Sequence, residues 1–373
     1  MKVGVLTYHR SHNYGAYLQA YSLSHAINAI EGFECELINY NLESEDEIYK
    51  KRKYKRPIYY FEYFKQDKMF ERLQSEQLLS GDLILDNDYT GTLEKISKDY
   101  DVLVVGSDEI WRIATRGFPN IYWLPLNTKA KKMSYAASGR MKIDNLSTDV
   151  RTKLGELYSD FDYIGVRDSL TKKMVEGVTD NIQAEINCDP AFLYDRFGRK
   201  SELKQKLRER LKVEGDKKIV AVMYDRPNII TRLRKILGKD YCFVCIARPM
   251  WNADRNLTAV TPFEWVDIIG GADYLVSSYF HGMVFAINQN TPFSVIDRRA
   301  NKSNCETSKL YDLLGRIDLL DKYYCASDMS EKDYEIIANE IKEGQEVDFS
   351  SAVELQRKTF DNFVGKIKEL CDE

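Results

Sequence analysis

Hydrophobic and polar residues near the start of the chain follow the pattern of a β-loop-α-β unit. The segment KVGVLTY is a nearly continuous apolar run, which is typical of a buried strand. NYGAYLQAYSLSHAINAI then repeats apolar residues at helical spacing as far as the helix-breaking pair Glu31 and Gly32, and FECELINY alternates as a second strand. Such a unit predicts a parallel sheet whose ligand-binding loops lie at the carboxyl ends of its strands.

The pattern changes at residues 44–81, which are charged and aromatic and show no strand periodicity. We predict that this segment is an insertion and that it is helical after Pro57. The strand-and-turn pattern resumes in later segments that each end in a polar or glycine-containing turn. These segments are YDVLVVGSDEIW, KKMSYAASG, FDYIGVRDSLTKKMVE and AEINCDPAFLY.

A charged connection at residues 196–217 leads to a second series of strands and helices, namely KIVAVMYDRP, YCFVCIARP, ADYLVSSYFHGMVFAINQ and TPFSVID. Two such series predict an α/β fold of two Rossmann-like domains, whose parallel sheets face each other across a cleft. We expect an N-terminal domain at residues 1–195, a C-terminal domain at 196–345 and a terminal helix at 346–373.

Composition narrows the class of protein further. The 373 residues are 44% hydrophobic and 30% charged, which excludes a disordered chain, and the net charge of −4 argues against a nucleic-acid partner. No apolar run is long enough to cross a bilayer and the start has no signal-peptide pattern, so we expect a cytoplasmic protein.

The seven cysteines are odd in number and scattered, as expected of free thiols. Cys242 and Cys245 have C-x-x-C spacing, but they lie in a strand pattern that points them to opposite faces. Because no second pair could complete a tetrahedral site, no metal is predicted.

The first candidate ligand loop runs from Tyr8 to Gly15, between the first strand and the first helix. Open α/β sheets bind ligands at this position, and a helix N-terminus favours anions. With a single glycine the loop lacks a dinucleotide fingerprint, so recognition must rest on polar side chains. The alternative is that Asn13 and Gly15 only cap and turn the chain. The candidate contacts are His9, Arg10, His12, Asn13, Tyr14 and Gly15.

A second candidate loop, Ser107 to Trp111, follows the strand DVLVV. Asp108 and Glu109 are adjacent, so their carboxylates diverge and do not form an acid/base pair by themselves. Asp108 is the better candidate for a site residue. The alternative is that Ser107 and Asp108 cap the next helix.

A third candidate lies in the second series, where Ser277, Ser278 and Tyr279 lead to His281 and Gly282. A histidine at the start of a helix, with a pKa near neutrality, is suited to proton transfer at the cleft. The alternative is a structural hydrogen bond from this ring to a backbone carbonyl.

Six segments, in the same order along the chain, resemble motifs of the polysaccharide pyruvyl transferase family. The ordered match extends over roughly residues 1–315, and together the six are far more specific than any one. They are NYGAYLQAY at 13–21, VGSDEIW at 105–111, SYAAS at 134–138, VRD at 166–168, DP at 189–190 and YFHG at 279–282.

The resemblance implies a fold similar to that of the GT-B glycosyltransferases. It also implies transfer of a pyruvyl group from phosphoenolpyruvate, as co-substrate and without another cofactor, to two hydroxyls of a sugar. The acceptor would belong to a cell-surface polysaccharide or its lipid-linked precursor, and the product would be a cyclic ketal. His281 would act as the acid or as the partner of the phosphate, and Asp108 would be a weaker candidate for the base.

One position departs from the family, because members with an R-L-H motif use that arginine on the donor and this chain has Tyr279 there. Arg226 is the leading substitute, followed by Arg248 and Lys309. With Ser278, Tyr279 and Gly282 they form the expected donor side in the C-terminal domain. The expected acceptor side is N-terminal and adds Ser107 and Trp111 to the first loop.

Four aromatic residues are candidates for stacking on the acceptor sugar, with core packing as the alternative. They are Trp111, Tyr14, Tyr135 and Trp251. The basic stretch 51–56 either contacts an anionic membrane surface or forms a solvated helix face.

Two other functions stay open at the level of sequence. One is a nucleotide-sugar glycosyltransferase of similar fold. The other is a non-catalytic member of a polysaccharide assembly complex, which the departure at Tyr279 keeps in consideration.

Overall fold

The computed structural model describes residues 1–41, 60–85, 89–113, 117–178 and 181–372. The chain forms two compact units. The described residues of the first unit fall within 1–41, 70–194 and 355–372, and those of the second within 60–69 and 195–354. The predicted basic stretch 51–56 lies outside the described residues, and the predicted insertion is described only from residue 60 onward.

A parallel sheet forms the centre of the first unit. The spatial order of its strands is β2, β1, β5, β6, β7, β8, while β3 and β4 pair with each other. The strands are β1 (Lys2–Leu6), β2 (Glu34–Leu37), β3 (Tyr40–Asn41), β4 (Ile84–Leu85), β5 (Val102–Val105), β6 (Lys131–Ala137), β7 (Tyr163–Val166) and β8 (Glu185–Ile186). All four residues of β5 are buried, as expected where both faces of a parallel sheet are covered.

Within the described residues, five helices that precede the last strand belong wholly or partly to this unit. They are α1 (Tyr14–Asn28), α2 (Tyr60–Leu73), α3 (Tyr89–Ile96), α4 (Thr148–Ser159) and α5 (Ser169–Glu176). Helix α2 begins among the residues of the second unit and ends in the first. Most of α1 is buried, which agrees with its largely apolar sequence.

The second unit is built on another six-stranded parallel sheet, in the order β11, β10, β9, β12, β13, β14. Numbered from its own first strand, this is the order 3-2-1-4-5-6 of a Rossmann fold. The strands are β9 (Lys218–Met223), β10 (Tyr241–Cys245), β11 (Arg255–Asn256), β12 (Tyr274–Ser277), β13 (Phe293–Asp297) and β14 (Tyr323–Cys325). The predicted α/β fold class with parallel sheets is confirmed.

In the part of the chain that the structure describes, six helices accompany this second sheet. They are α6 (Lys200–Leu211), α7 (Asn228–Leu237), α8 (Pro262–Gly271), α9 (Phe280–Asn288), α10 (Lys309–Arg316) and α11 (Glu331–Glu343). None of the helices in the described part of the chain is both long and apolar enough to span a membrane.

The C-terminal helix α12 (Ser350–Asp372) returns to the first unit from Leu355 onward. Phe363 is buried, and its ring centroid lies 4.7 Å from that of Tyr135 in β6 and 5.6 Å from that of Tyr163 in β7. Thr359 Oγ1 accepts a hydrogen bond of 2.7 Å from the backbone N–H of Cys188. A segment distant in sequence therefore completes the core of the first unit.

In each sheet the strand order reverses at one point, and ligands of open α/β sheets bind in the crevice at such a point. In the first sheet the reversal lies between β1 and β5, which are followed by the first and second candidate loops. In the second sheet it lies between β9 and β12, which lead to Arg226 and His281 respectively. Topology thus places all three predicted loops at ligand-binding positions of their sheets.

Gly106 lies directly after β5 and packs closely against the backbone of β6, at the point where the strand order of the first sheet reverses. Its φ is +122°, and a Cβ added there would lie 2.1 Å from the backbone oxygen of Tyr135. We expect Gly106→Ala to lower the free energy of unfolding by at least about 2 kcal/mol, because the backbone must shift. Gly91→Ala is the matched control, since nothing lies within 4 Å of a Cβ at Gly91 in α3. Urea denaturation of both variants measures the difference, and equal stabilities would contradict the packing argument.

Candidate active site

His9, in the loop after β1, has an imidazole that is completely buried. Its ring nitrogens lie 3.1 Å from the backbone oxygen of Thr7 and 3.4 Å from Oδ1 of Asn39. Burial lowers the pKa of His9 to about 4, so the ring is neutral at physiological pH. The prediction that His9 contacts a ligand is wrong for this structure, because the ring is used inside the protein to fix the loop.

The rest of the first loop divides into capping and partly exposed residues. Oδ1 of Asn13 accepts hydrogen bonds from the backbone N–H groups of Gly15 (2.9 Å) and Ala16 (3.3 Å), so the capping alternative describes Asn13. Tyr14 is buried against Phe70. Among the predicted contacts, Arg10 and His12 are partly exposed. Arg10 donates a 3.1 Å hydrogen bond to Asn39, and His12 stacks on Phe70 with a distance of 5.4 Å between ring centroids.

Hydrogen bonds join the loop after β1 to the loop after β5. The Thr7 hydroxyl donates to the backbone oxygen of Ser107 (3.2 Å), and the Tyr8 hydroxyl donates to that of Glu109 (3.0 Å). The side chain of Ser107 is buried, and its Oγ makes no hydrogen bond to any residue that the structure describes. The structure therefore brings the first and second predicted loops together.

Asp108 adopts a left-handed backbone conformation, with φ +79°, which is uncommon for a residue with a side chain. Its backbone oxygen accepts a 2.9 Å hydrogen bond from the N–H of Ser138, and its Oδ1 accepts one of 2.9 Å from the N–H of Glu109. Unusual conformations held by surrounding contacts cluster at functional sites. This observation supports the choice of Asp108 as a site residue.

A buried arginine behind Asp108 was not among the predicted site residues. The guanidinium of Arg167 donates to Asp189 Oδ2 (2.7 Å) and to Asp108 Oδ1 (3.3 Å). Burial disfavours its charge, but the carboxylates of Asp189 and Asp108 outweigh burial and raise the pKa of Arg167 above its ordinary value. The signal was present in the sequence, because Arg167 and Asp189 belong to the VRD and DP segments.

Two predicted sugar-stacking residues lie in the core instead. Trp111 is fully buried, its Nε1 donates a 2.9 Å hydrogen bond to the backbone oxygen of Tyr122, and its ring packs 4.9 Å from that of Tyr158. Tyr135 is fully buried as well. The stacking prediction is wrong for both, and core packing is confirmed. Trp251, by contrast, is 79% exposed.

In the second unit, charged side chains converge after β9, β10 and β13. Asp225 follows β9, and its Oδ2 accepts a hydrogen bond from Arg298 and lies 3.9 Å from NH1 of Arg248. We call Asp225, Arg248 and Arg298 the arginine cluster. Arg226, the leading predicted cation, extends from the same loop with an exposed side chain. Arg298 was not predicted, although it follows the strand pattern TPFSVID directly.

The third predicted loop lies beside this cluster. Ser278 donates from its N–H (2.9 Å) and its hydroxyl (3.3 Å) to the backbone oxygen of Met223, which ties the end of β12 to that of β9. Burial raises the pKa of Tyr279, while the charges of Arg248 and Arg298 oppose the shift. The Tyr279 phenol therefore lies in the field of the arginine cluster and keeps its proton at neutral pH.

Gly282 has a packing role that the sequence did not indicate. A Cβ at this position would lie 2.5 Å from the Met223 sulfur and 2.9 Å from the Ser277 hydroxyl. The glycine allows α9 to pack closely on the sheet, because Met223 and Ser277 lie where a side chain would otherwise be. His281, next to it in the first turn of α9, is partly exposed, and Lys309 Nζ lies 5.2 Å from the centroid of the Phe280 ring.

The buried imidazole of His9 makes stability depend on pH. Its pKa is about 4 in the folded protein and 6.5 ordinarily, so the unfolded chain binds the extra proton first as the pH falls. We expect a contribution of about 3 kcal/mol that is complete above pH 6.5 and is lost as the pH falls to about 4. Urea denaturation of wild type and His9→Gln across this range isolates the contribution. Parallel pH profiles would show that His9 is not the cause.

Arg167 carries a second expectation about stability. Arg167→Ala leaves the buried carboxylate of Asp189 without its cation, which costs about 3–5 kcal/mol of unfolding free energy. The control is Arg140→Ala, which removes a partly exposed ion pair with Glu109 (3.2 Å) and costs at most about 1 kcal/mol. Chemical denaturation measures both losses. A loss of unfolding free energy as small as that of the control would contradict a stabilising role for the Arg167 charge.

Comparison with solved structures shows a likeness of fold. The chain is similar to UDP-N-acetylglucosamine 2-epimerase from Rickettsia bellii, with 11% identity, a TM-score of 0.56 and coverage of 100% of this chain and 97% of that one. UDP-GlcNAc 2-epimerase from Methanocaldococcus jannaschii, in complex with UDP-GlcNAc and UDP, has 13% identity, a TM-score of 0.49 and coverage of 96% and 99%. A mutant O-GlcNAc transferase from Thermobaculum terrenum has 10% identity, a TM-score of 0.49 and coverage of 99% and 66%.

Sequence comparison gives the family. No curated protein sequence matches the chain. A family model described as polysaccharide pyruvyl transferase matches residues 13–299. This range contains the end of the first candidate loop from Asn13 onward, the second and third loops, and both arginines of the arginine cluster. Since this match covers most of the 373 residues, the chain belongs to the polysaccharide pyruvyl transferase family, a family of transferases.

Proposed function

We propose that the protein transfers a pyruvyl group from phosphoenolpyruvate to two hydroxyls of a sugar, in a cell-surface polysaccharide or its lipid-linked precursor. Family membership supports a transferase of this class. The observation that carries the proposal is a grouping of residues after the neighbouring strands β10, β9, β12 and β13. It joins the arginine cluster with Tyr279 and with the first turn of α9, which holds His281.

This grouping fits the charge of the donor. Phosphoenolpyruvate carries a phosphate and a carboxylate, which arginine binds through paired N–H groups. The N-terminus of α9 contributes the partial positive charge of a helix end. Asp225 offsets one of the two arginine charges, so the arginine cluster keeps a net positive charge for an anionic ligand.

The proposed reaction forms two carbon–oxygen bonds and breaks one. The methylene carbon of phosphoenolpyruvate takes a proton and becomes a methyl group, while the first sugar oxygen bonds to the neighbouring carbon. That carbon then loses phosphate and bonds to the second sugar oxygen, which closes the ketal. The two hydroxyl protons balance the one added to carbon and the one that leaves on hydrogen phosphate.

Within this scheme His281 supplies the proton to carbon or contacts the departing phosphate. A histidine can serve either step because its ordinary pKa lies near neutrality. Asp108 is the proposed base that takes a sugar hydroxyl proton. Its fixed conformation and its contact with Arg167 support a defined position for its carboxylate.

The direct test is phosphate release from phosphoenolpyruvate in the presence of a panel of nitrophenyl glycosides and lipid-linked sugars. We expect release that depends on a sugar, with a pyruvylated product detected by mass spectrometry. His281→Ala should lower kcat by at least about 100-fold, since a general acid contributes that much or more. His25→Ala is the matched control, because His25 lies in α1 and its Nδ1 is 2.8 Å from the Tyr21 backbone oxygen.

Ligand-dependent melting separates the alternatives without knowledge of the acceptor. A ligand that binds only the folded state raises Tm, so phosphoenolpyruvate should stabilise the protein and UDP should not. Stabilisation by UDP alone would replace the proposal with a nucleotide-sugar glycosyltransferase. No stabilisation by phosphoenolpyruvate and no turnover would favour a non-catalytic protein, and full turnover of His281→Ala would remove His281 from the reaction.

A further inference from the structure

Arg298 emerges at the carboxyl edge of the second sheet in a fixed position. The residue before it, Asp297, is buried and ends β13. The carboxylate of Asp297 accepts hydrogen bonds from the hydroxyls of Ser308 and Tyr323 and from the N–H of Arg299. These contacts fix the backbone next to Arg298. A binding residue needs such support from its neighbours to hold its side chain in one geometry.

The side chain of Arg298 is held at its far end too. One terminal nitrogen, NH1, donates to Oδ2 of Asp225, and Cζ lies 5.9 Å from the centroid of the Tyr224 ring. Only 23% of the side chain is exposed. The guanidinium is thus oriented by one carboxylate, which it contacts through NH1.

One buried N–H group of Arg298 has no hydrogen-bond acceptor among the described residues. Nε of Arg298 is buried, and it makes no hydrogen bond to any residue within the described ranges. Buried N–H groups are almost always satisfied by protein, water or a ligand. An oxyanion fits this place, because a guanidinium presents its N–H groups in a fork that matches a carboxylate or phosphate.

The surroundings of Arg298 favour an anion over a neutral ligand. Arg248 lies 3.9 Å from the same Asp225 oxygen, so two cations share one carboxylate. The phenol of Tyr279 lies in the field of both arginines. A protonated phenol can donate one more hydrogen bond to an anion.

We propose that Arg298, oriented by Asp225, binds an oxyanion of the donor through its Nε edge, with Arg248 and the Tyr279 hydroxyl completing the site. This inference rests on the proposed function and names a residue that binds the donor. Both the phosphate and the carboxylate of phosphoenolpyruvate have the required chemistry. The arms of the experiment distinguish them.

The experiment measures the Kd of phosphoenolpyruvate by calorimetry for the full chain and three variants. Arg298→Gln should raise Kd at least about 10-fold, because charge-assisted hydrogen bonds are lost. Arg298→Lys should recover only part of the affinity, since an ammonium cannot bind in a fork. Arg299→Gln is the matched control: it removes the same charge from the next residue, whose side chain is exposed, and should leave Kd within about twofold.

Competition by inorganic phosphate and by pyruvate identifies the oxyanion. The one that occupies the Arg298 site should compete with phosphoenolpyruvate in wild type and lose that effect in Arg298→Gln. Tm without ligand and circular dichroism establish that each variant is folded, and Arg298→Lys keeps the charge if the glutamine variant does not fold.

The two proposals fail in different ways. A wild-type protein that does not bind phosphoenolpyruvate overturns the proposed function and, with it, this inference. Wild-type affinity in folded Arg298→Gln, or in Arg298→Lys, overturns the role of Arg298 while the proposed function stands. An equal loss of affinity in Arg299→Gln would show that the net charge of the protein, and not the position of Arg298, determines the Kd. That result would also overturn the inference.

Discussion

Strands that are covered on both faces leave little room for polar side chains except at their ends. In β5 and along most of β9 every side chain is buried and apolar, and the backbone groups are used in the parallel ladders. Polar residues therefore gather where the strands stop. The reversal of strand order decides which of these ends lie beside a crevice, and in both sheets those ends carry the candidate chemistry.

The two units treat charge differently at these ends. The first encloses the guanidinium of Arg167 completely and balances it with Asp108 and Asp189. The second leaves Arg248 and Arg298 partly exposed, and among the described residues Asp225 is the carboxylate that pairs with both of them. An enclosed and balanced charge is suited to holding a neighbouring group in place, whereas an exposed excess of positive charge is suited to attracting a ligand.

Much of the fold could be predicted from sequence because apolar periodicity is a local signal. The runs that become β1, β5, β9 and β12 are visible in the chain, and so are the loops that follow them. Side-chain direction within a loop is a different matter, because periodicity ends with the strand. His9 and Trp111 lie in the predicted loops, yet both side chains point into the interior.

The arginine cluster was only partly visible in the sequence for a related reason. Arg298 and Asp225 are 73 residues apart, and no spacing rule connects them. Arg226 was preferred because it lies in the loop that directly follows a strand. Its side chain is exposed, whereas the residues that contact Asp225 come from the ends of two other strands. The absence of a side chain at Gly282 likewise reflects its contact with Met223, a residue of another strand.

The path of helix α12 bears on how the protein is made. Residues 355–372 complete the core of the first unit through Phe363 and Thr359, and a ribosome adds them only after the whole second unit. During synthesis the second unit can reach its final core while the first still exposes the apolar faces of β6 and β7 that α12 will cover. The unit that is synthesised first is therefore the unit whose core is completed last.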